Sequence, residues 1–111
     1  MSATLTQYGN VTVLAVKDEL AGDEVEAFVE QAGRCTQEGR REVVLDCSEL
    51  AGLDSRGLEA IVDLQNACEG ELGAVKLCGM NATCAKILEI TRLVRRFECF
   101  DDLDSAVKSF G

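Results

Sequence analysis

The side chains best suited to chemistry in this sequence are concentrated in one stretch, LDCSELAGLDSRGLEAIVDL, residues 45–64. The carboxylate of Asp54, the hydroxyl of Ser55 and the guanidinium of Arg56 follow one another there, where an apolar helical pattern begins. A side-chain oxygen at a helix start accepts hydrogen bonds from free backbone N–H groups, which stabilises the helix by about 1 kcal/mol. The local pattern therefore predicts a helix cap, supplied by Asp54 or by Ser55.

Ser55 also suits a second role at the same position. A hydroxyl at a helix N-terminus can be phosphorylated without breaking the fold, because the free N–H groups and the helix dipole stabilise an anion there. The phosphate would add about −1.5 to −2 charges to an exposed corner. Cap and phosphorylation site are therefore both open interpretations of Ser55.

Asp46 ends the apolar run EVVLD, which is predicted to be a strand. Functional groups gather beyond the carboxyl ends of parallel strands, so residues 47–57 are expected to form a functional loop. Asp46 and Asp54 could be imagined as a catalytic carboxylate pair. The sequence nevertheless has no histidine and no phosphate-binding or dinucleotide-binding glycine motif. We therefore expect a binding protein rather than an enzyme, with no catalytic residues, no metal and no cofactor.

The composition narrows the class of partner. The chain has 111 residues, about one domain, and 47% of them are hydrophobic, enough for an ordinary core. Its 11 basic and 20 acidic residues give a net charge of −9. Nucleic acids and anionic membranes would repel such a surface, so partners should present basic or apolar patches.

The cysteines and the absence of export signals favour the cytoplasm. The N-terminal segment MSATLTQYGN has neither a basic region nor an apolar core, so it does not resemble a signal peptide. No apolar run approaches the roughly 20 residues that span a bilayer. None of the six cysteines are spaced as C-x-x-C, and most fall on apolar faces. We expect reduced thiols that pack as small hydrophobic side chains.

Strands and helices are predicted to alternate along the chain. A hairpin with a type II′ turn at Gly9-Asn10 opens it, and a continuous apolar run indicates a central strand that is covered on both faces. The predicted elements are, in order, strands 3–8 and 11–16, a helix ending at Gly39, strand 42–46, a helix from residue 56 to 68, strand 74–78, a helix over 81–90 capped by Asn81, an exposed segment over 95–100 and a last helix capped by Asp101 or Asp102.

This order predicts a single α/β domain over residues 1–111. An opening β-hairpin followed by alternating helices and strands indicates a mixed sheet of about four to five strands, with the central strands parallel. The inward side chains of the helices recur at helical spacing. In the first helix they are Val25, Phe28, Val29, Ala32 and Cys35.

The stretch VVLDCSELAGLDSRGLEAIV resembles the signature of STAS domains, the anti-sigma factor antagonist family. In that signature a strand is followed by a loop with Asp or Asn, and then by Asp-Ser-Ser/Thr-Gly-Leu at a helix start. LAVKDELAGDEVEAFVEQA is similar to the family's second strand and first helix, with Glu19-Leu20 matching a Glu-Leu pair. VKLCGMNATCAKILEITRLVRRFECFDDLDSAVKSF is similar to the C-terminal half. The resemblance thus covers nearly the whole chain.

The resemblance implies partner switching by phosphorylation. The unphosphorylated antagonist would bind an anti-sigma factor that is also a serine kinase. The kinase would phosphorylate the serine directly after the motif aspartate, here Ser55, and a phosphatase would reset it. By the same correspondence Asp46 matches the acid or amide at the end of the third strand. The implied partner-binding residues are Glu19, Asp46, Asp54, Ser55, Arg56 and Gly57.

Several residues depart from the family pattern. Arg56 stands where a second Ser or Thr is usual, Asp18 and Arg92 replace common glycines, and Ala21 replaces an aspartate. Some STAS domains are never phosphorylated and act as scaffolds. The alternative interpretation is therefore a non-phosphorylated subunit of a transport system or of a larger signalling complex.

Overall fold

Regular structure in the computed structural model follows the apolar patterns of the sequence over residues 2–110, the part of the chain that it describes. Five strands, four α-helices and one 3₁₀ turn alternate there in the predicted order. They are β1 (Ser2–Tyr8), β2 (Val11–Leu20), α1 (Glu24–Gln37), β3 (Glu42–Leu53), α2 (Ser55–Gly70), β4 (Ala74–Cys78), α3 (Ala82–Ile90), the 3₁₀ turn Leu93–Arg96, β5 (Glu98–Phe100) and α4 (Leu103–Lys108).

The strands form one mixed sheet in the order β1-β2-β3-β4-β5. β1 pairs antiparallel with β2 through a tight hairpin in which Tyr8 faces Val11, and every other neighbouring pair is parallel. Gly9 has a φ of +61° whereas Asn10 keeps a negative φ, as the predicted type II′ turn requires. The predicted α/β class and the opening hairpin are confirmed.

Both faces of the sheet are covered, but unequally. The larger core lies between the sheet and helices α1, α2 and α3, whereas α4 covers a smaller patch on the opposite face. Alternate residues of the central strand serve the two cores, since Leu45 belongs to the larger one and Val44 to the smaller one. The prediction that this strand is covered on both faces is confirmed.

β3 extends further than predicted. It continues past Asp46 to Leu53, so most of the expected loop over residues 47–57 is strand. Asp46 is the last residue to pair with β4, but the following residues stay paired with β2 as far as Leu20–Leu53, across two register shifts. The prediction was wrong because the pairing depends on the partner strand. The run CSELAGL has little apolar alternation of its own.

Two of the departures from the STAS pattern occupy unusual backbone positions. Asp18 and Arg92 each have a φ of 64°, in the left-handed region that glycine enters without steric cost. A glycine at either position would adopt this backbone without steric cost. Arg92 lies between the C-cap of α3, Thr91, and the 3₁₀ turn that it precedes.

Helices α1 and α2 lie side by side on one face of the sheet. Gly39, with a φ of +74°, ends the first of them, and the N–H of Arg40 bonds to the carbonyl of Cys35 in the closing turn. Asn81 caps α3 and Asp102 caps α4, each accepting a backbone hydrogen bond at 2.8 Å. Within residues 2–110 no helix combines the length and apolarity needed to cross a bilayer.

The cysteines are free thiols, and all but Cys99 are buried. Burial raises the pKa of every one of them, to about 11 for Cys68 and about 12 for Cys78. A raised thiol pKa leaves little nucleophilic thiolate at neutral pH. The prediction that most cysteines pack as small hydrophobic side chains is confirmed.

Candidate functional site

The cap of α2 is Asp54 and not Ser55. The Asp54 backbone is extended, and its Oδ1 accepts a hydrogen bond from the N–H of Gly57 at 2.9 Å. This is the usual geometry of an N-cap carboxylate. The choice that the sequence left open between the two oxygens is thereby decided, because the capping position belongs to the aspartate.

The Asp54 carboxylate also ties α2 to the connection between β2 and α1. Its second oxygen, Oδ2, accepts a hydrogen bond from the N–H of Gly22 at 3.0 Å. The N–H of Asp54 donates to the carbonyl of Leu20 at 3.3 Å. One aspartate therefore joins two segments that are more than 30 residues apart, and together they form what we call the Ser55 corner, residues 19–22 and 54–57.

Gly57 lies at the base of the Ser55 corner, against the backbone of β2. It is buried, and a Cβ built on it would lie 2.2 Å from the carbonyl oxygen of Leu20. No side chain fits at that separation, so the close approach of α2 to β2 depends on glycine. Gly57 thus fixes where the α2 N-terminus lies relative to β2.

Ser55 is the first residue of α2 and is exposed. Its hydroxyl makes no hydrogen bond to any residue that the structure describes, because Asp54 already satisfies the capping role. Arg56, beside it, is also exposed and forms no salt bridge within residues 2–110. A hydroxyl and a neighbouring cation are therefore presented to solvent together, at the positive end of a helix dipole.

The surface next to the corner is acidic. Glu19 is exposed and, with Asp18, Glu24 and Ala51, lines an open depression of about 490 Å³. The exposed carboxylates of Asp18 and Glu19 in this concavity favour contact with basic groups of a protein. Across residues 2–110, however, no group of three or more Cys, Asp or Glu side chains is arranged to hold a metal.

Asp46 lies apart from the other predicted site residues. Its Oδ1 accepts a hydrogen bond from the N–H of Ser48 at 3.1 Å and lies 3.8 Å from the Sγ of Cys78. The remainder of β3 separates it from Asp54. The structure therefore brings Glu19, Asp54, Ser55, Arg56 and Gly57 to one corner and leaves Asp46 at the junction of β3 and β4.

Sequence reasoning missed how the corner is held. Gly22 contributes a backbone N–H and Leu20 a backbone carbonyl. Backbone groups carry no side-chain signal, so the pattern could place residues 19–22 near the site but could not identify these bonds. The available signals were an aspartate before the helix start and, three residues later, a glycine whose N–H donates to the cap.

We expect the double role of Asp54 to make stability depend on pH. The N–H of Gly57, and then that of Gly22, hold the pKa of Asp54 below its ordinary value. The carboxylate therefore adds stability above about pH 4, the unfolded pKa, and that stability is lost as the pH falls through the lower folded pKa. In Asp54→Asn the amide NH₂ would face the N–H of Gly22, so this variant should be less stable than the parent at pH 7.

Urea unfolding of the parent and of Asp54→Asn, at pH 7 and at pH 3, measures this effect. The difference in free energy of unfolding between the two proteins should be smaller at pH 3 than at pH 7. Asp101→Asn removes an exposed carboxylate that caps no helix, so it should leave stability nearly unchanged at both values. An equal loss for Asp54→Asn at pH 7 and pH 3 would contradict the ionic contribution.

The chain matches a protein-family model described as STAS domain over residues 2–106. No curated protein matches its sequence at a significant level. Among solved structures it is similar to an anti-sigma factor antagonist from Mycobacterium paratuberculosis, with a TM-score of 0.89, 19% identity, and coverage of 97% of this chain and 92% of that one.

Two further solved structures share the fold. An anti-sigma-factor antagonist (STAS) domain protein from Planctomyces limnophilus gives a TM-score of 0.89 at 19% identity, covering 96% of each chain. The Bacillus cell fate determinant SpoIIAA in its phosphorylated form gives a TM-score of 0.79 at 16% identity, covering 99% of this chain and all of that one. At such identities the likeness is one of fold.

Proposed function

Since the chain belongs to the STAS domain family, we propose that it is an anti-sigma factor antagonist that binds an anti-sigma factor with serine kinase activity and is released when Ser55 is phosphorylated. The observation that carries this proposal is the exposed hydroxyl of Ser55 beside a cap made by Asp54. Because the hydroxyl does not hold the helix, a kinase can modify it without cost to the fold. The role belongs in the cytoplasm, where a phosphatase would reset the switch.

The α2 N-terminus supports the product of such a reaction. The helix dipole stabilises a phosphate placed at the first turn, where the N–H of Gly57 is already bonded to Asp54 Oδ1 and that of Leu58 to the Asp54 carbonyl. The guanidinium of Arg56 is exposed and without a salt bridge in the described residues, so it is available to pair with the same anion. Phosphorylated Ser55 would therefore be accommodated by groups that are already in place.

Phosphorylation would act on a surface that is already acidic. The depression beside the corner carries the exposed carboxylates of Asp18 and Glu19, so the docking partner should present basic side chains to it. A phosphate would draw Arg56 inward and change the charge at the centre of the contact. We propose that the partner reads the corner formed by residues 19–22 and 54–57, together with the exposed face of α2.

Incubation with a candidate anti-sigma factor kinase and ATP, followed by intact mass and site mapping, tests the proposal. We expect a gain of one phosphate, on Ser55, which Ser55→Ala abolishes. Ser48 is an exposed serine on the neighbouring β3, so Ser48→Ala is the matched control and should still accept one phosphate. A phosphate on another residue, or none with any such kinase, would favour the alternative of a non-phosphorylated scaffold subunit.

A further inference from the structure

A surface groove runs between helices α1 and α2 and begins at the Ser55 corner. Its first part has a volume of about 190 Å³ and is lined by Arg56 and Glu59 of α2 and by Val25 of α1, among others. A second part of about 180 Å³ continues along the helices to Ala67. The two parts share Val29, Ala60 and Asp63, so the groove is continuous.

The floor of the groove is apolar and made of small or aliphatic side chains. Val29 lines both parts and is 51% exposed, although its spacing places it with the inward residues of α1. Ala32, Ala60 and Leu64 lie beneath it and are buried. The helices thus leave an apolar strip between them that no part of the described chain covers.

Gly33 opens the groove on the α1 side. It lies inside the helix, has an ordinary helical φ, and has no atom within 4 Å of a Cβ built on it. Glycine inside a helix costs roughly 0.5–1 kcal/mol relative to alanine, and the missing side chain allows another group to approach the helix closely. No atom from another segment of the described chain lies within 4 Å of a Cβ built on Gly33, in contrast to Gly57, where the Leu20 carbonyl of β2 does.

The rim of the groove is acidic. Glu59 and Asp63 line it from α2, and both are exposed. Arg56 is the basic residue among those that line the groove, and it lies at the end next to Ser55.

We propose that this groove binds an amphipathic helix of the protein partner that acts on Ser55, with an apolar stripe flanked by lysine or arginine. The apolar floor fits the stripe, the acidic rim fits the flanking cations, and Gly33 admits a close helix approach. Residues 56–67 correspond to about three helical turns, which sets the length of the bound helix. The identity of the occupant rests on the proposed function; the helix-binding chemistry of the groove does not.

The chemistry is tested with an 18-residue synthetic helical peptide that carries a leucine and alanine stripe flanked by lysines. Its matched control has glutamates in place of the lysines. In ¹⁵N-edited NMR titrations of the full chain we expect the lysine peptide to shift the amides of residues 29–36 and 60–67, and the glutamate peptide to shift none. Equal binding of the two peptides, or shifts confined to residues 18–24, would overturn the proposal.

Two pairs of substitutions distinguish an effect of the groove from a loss of folding and from a change in overall charge. Gly33→Leu should fill the groove and lower the affinity for the lysine peptide at least tenfold. Gly70→Leu adds the same side chain at the exposed end of α2 and should leave that affinity unchanged. Asp63→Lys should lower the affinity for the lysine peptide more than Glu71→Lys does, although Glu71→Lys makes the same charge change outside the groove. Urea unfolding confirms that each variant is folded, and equal affinities within either pair would count against the groove.

A kinase that phosphorylates Ser55 then distinguishes the two proposals. If Gly33→Leu raises the kinase KM for the chain at least tenfold and Gly70→Leu does not, the partner uses the groove. If Ser55 is phosphorylated with the same KM in both variants, the groove proposal fails while the proposed function stands. If no kinase modifies Ser55 but the lysine peptide binds as expected, the proposed function fails and the groove is a helix-binding site for another partner.

Discussion

Gly57→Ala is expected to lower the free energy of unfolding by about 3 kcal/mol, the upper part of the range for overpacked sites. The added Cβ would lie 2.2 Å from the carbonyl oxygen of Leu20, which is backbone and cannot rotate away. The same oxygen accepts the hydrogen bond from the N–H of Asp54. Relief of the clash therefore has to move α2 away from β2 and weaken the bond that positions the helix start.

Gly33→Ala is the matched control for this substitution. Both glycines lie in α-helices of the same layer, but a Cβ at Gly33 meets no atom within 4 Å. Helix propensity then decides the result, and Gly33→Ala should raise the free energy of unfolding by roughly 0.5–1 kcal/mol. Urea unfolding of the two variants and the parent should give opposite signs, and a loss of less than about 1 kcal/mol for Gly57→Ala would show that α2 shifts easily.

The features that could be predicted from the sequence are those with a local cause. The hairpin at Gly9-Asn10 follows from a turn that needs a positive φ, and the cap at Asn81 from a side chain that bonds three residues ahead. The element order follows from apolar spacing, which records the burial of each segment on the sheet. These signals lie within a few residues of the structure that they determine.

The features that could not be predicted depend on contacts between distant segments. The extension of β3 to Leu53 requires the end of β2 as its partner, and the second bond of Asp54, from the N–H of Gly22 to Oδ2, joins segments 32 residues apart. Val29 illustrates a different limit. Its spacing predicts burial, but the apolar face of α1 is wider than the sheet and α2 cover, which leaves this valine half exposed.

For the switch itself, we expect Ser55→Asp to weaken binding of the anti-sigma factor kinase at least tenfold, or about 1.4 kcal/mol. The substitution places a permanent anion at an exposed position between the acidic residue Asp54 and the cation Arg56. The anion would attract Arg56 and withdraw it from the partner. The loss of this contact is what weakens binding, because an added anion by itself would favour basic side chains of the partner. The loss should appear in the dissociation constant measured by calorimetry at fixed ionic strength.

Ser55→Asp should weaken binding but stabilise the fold, and this combination distinguishes a switch from a variant that binds poorly because it is misfolded. An acid in the first turn of a helix interacts favourably with the dipole, so Ser55→Asp should raise the free energy of unfolding by about 0.3–1 kcal/mol. Ser55→Asn introduces a side chain of nearly the same shape as Asp but without the charge, and this variant should bind the kinase almost as tightly as the parent. If Ser55→Asp also bound as tightly as the parent, the charge at Ser55 would not control docking, and the corner would serve a partner that is indifferent to it.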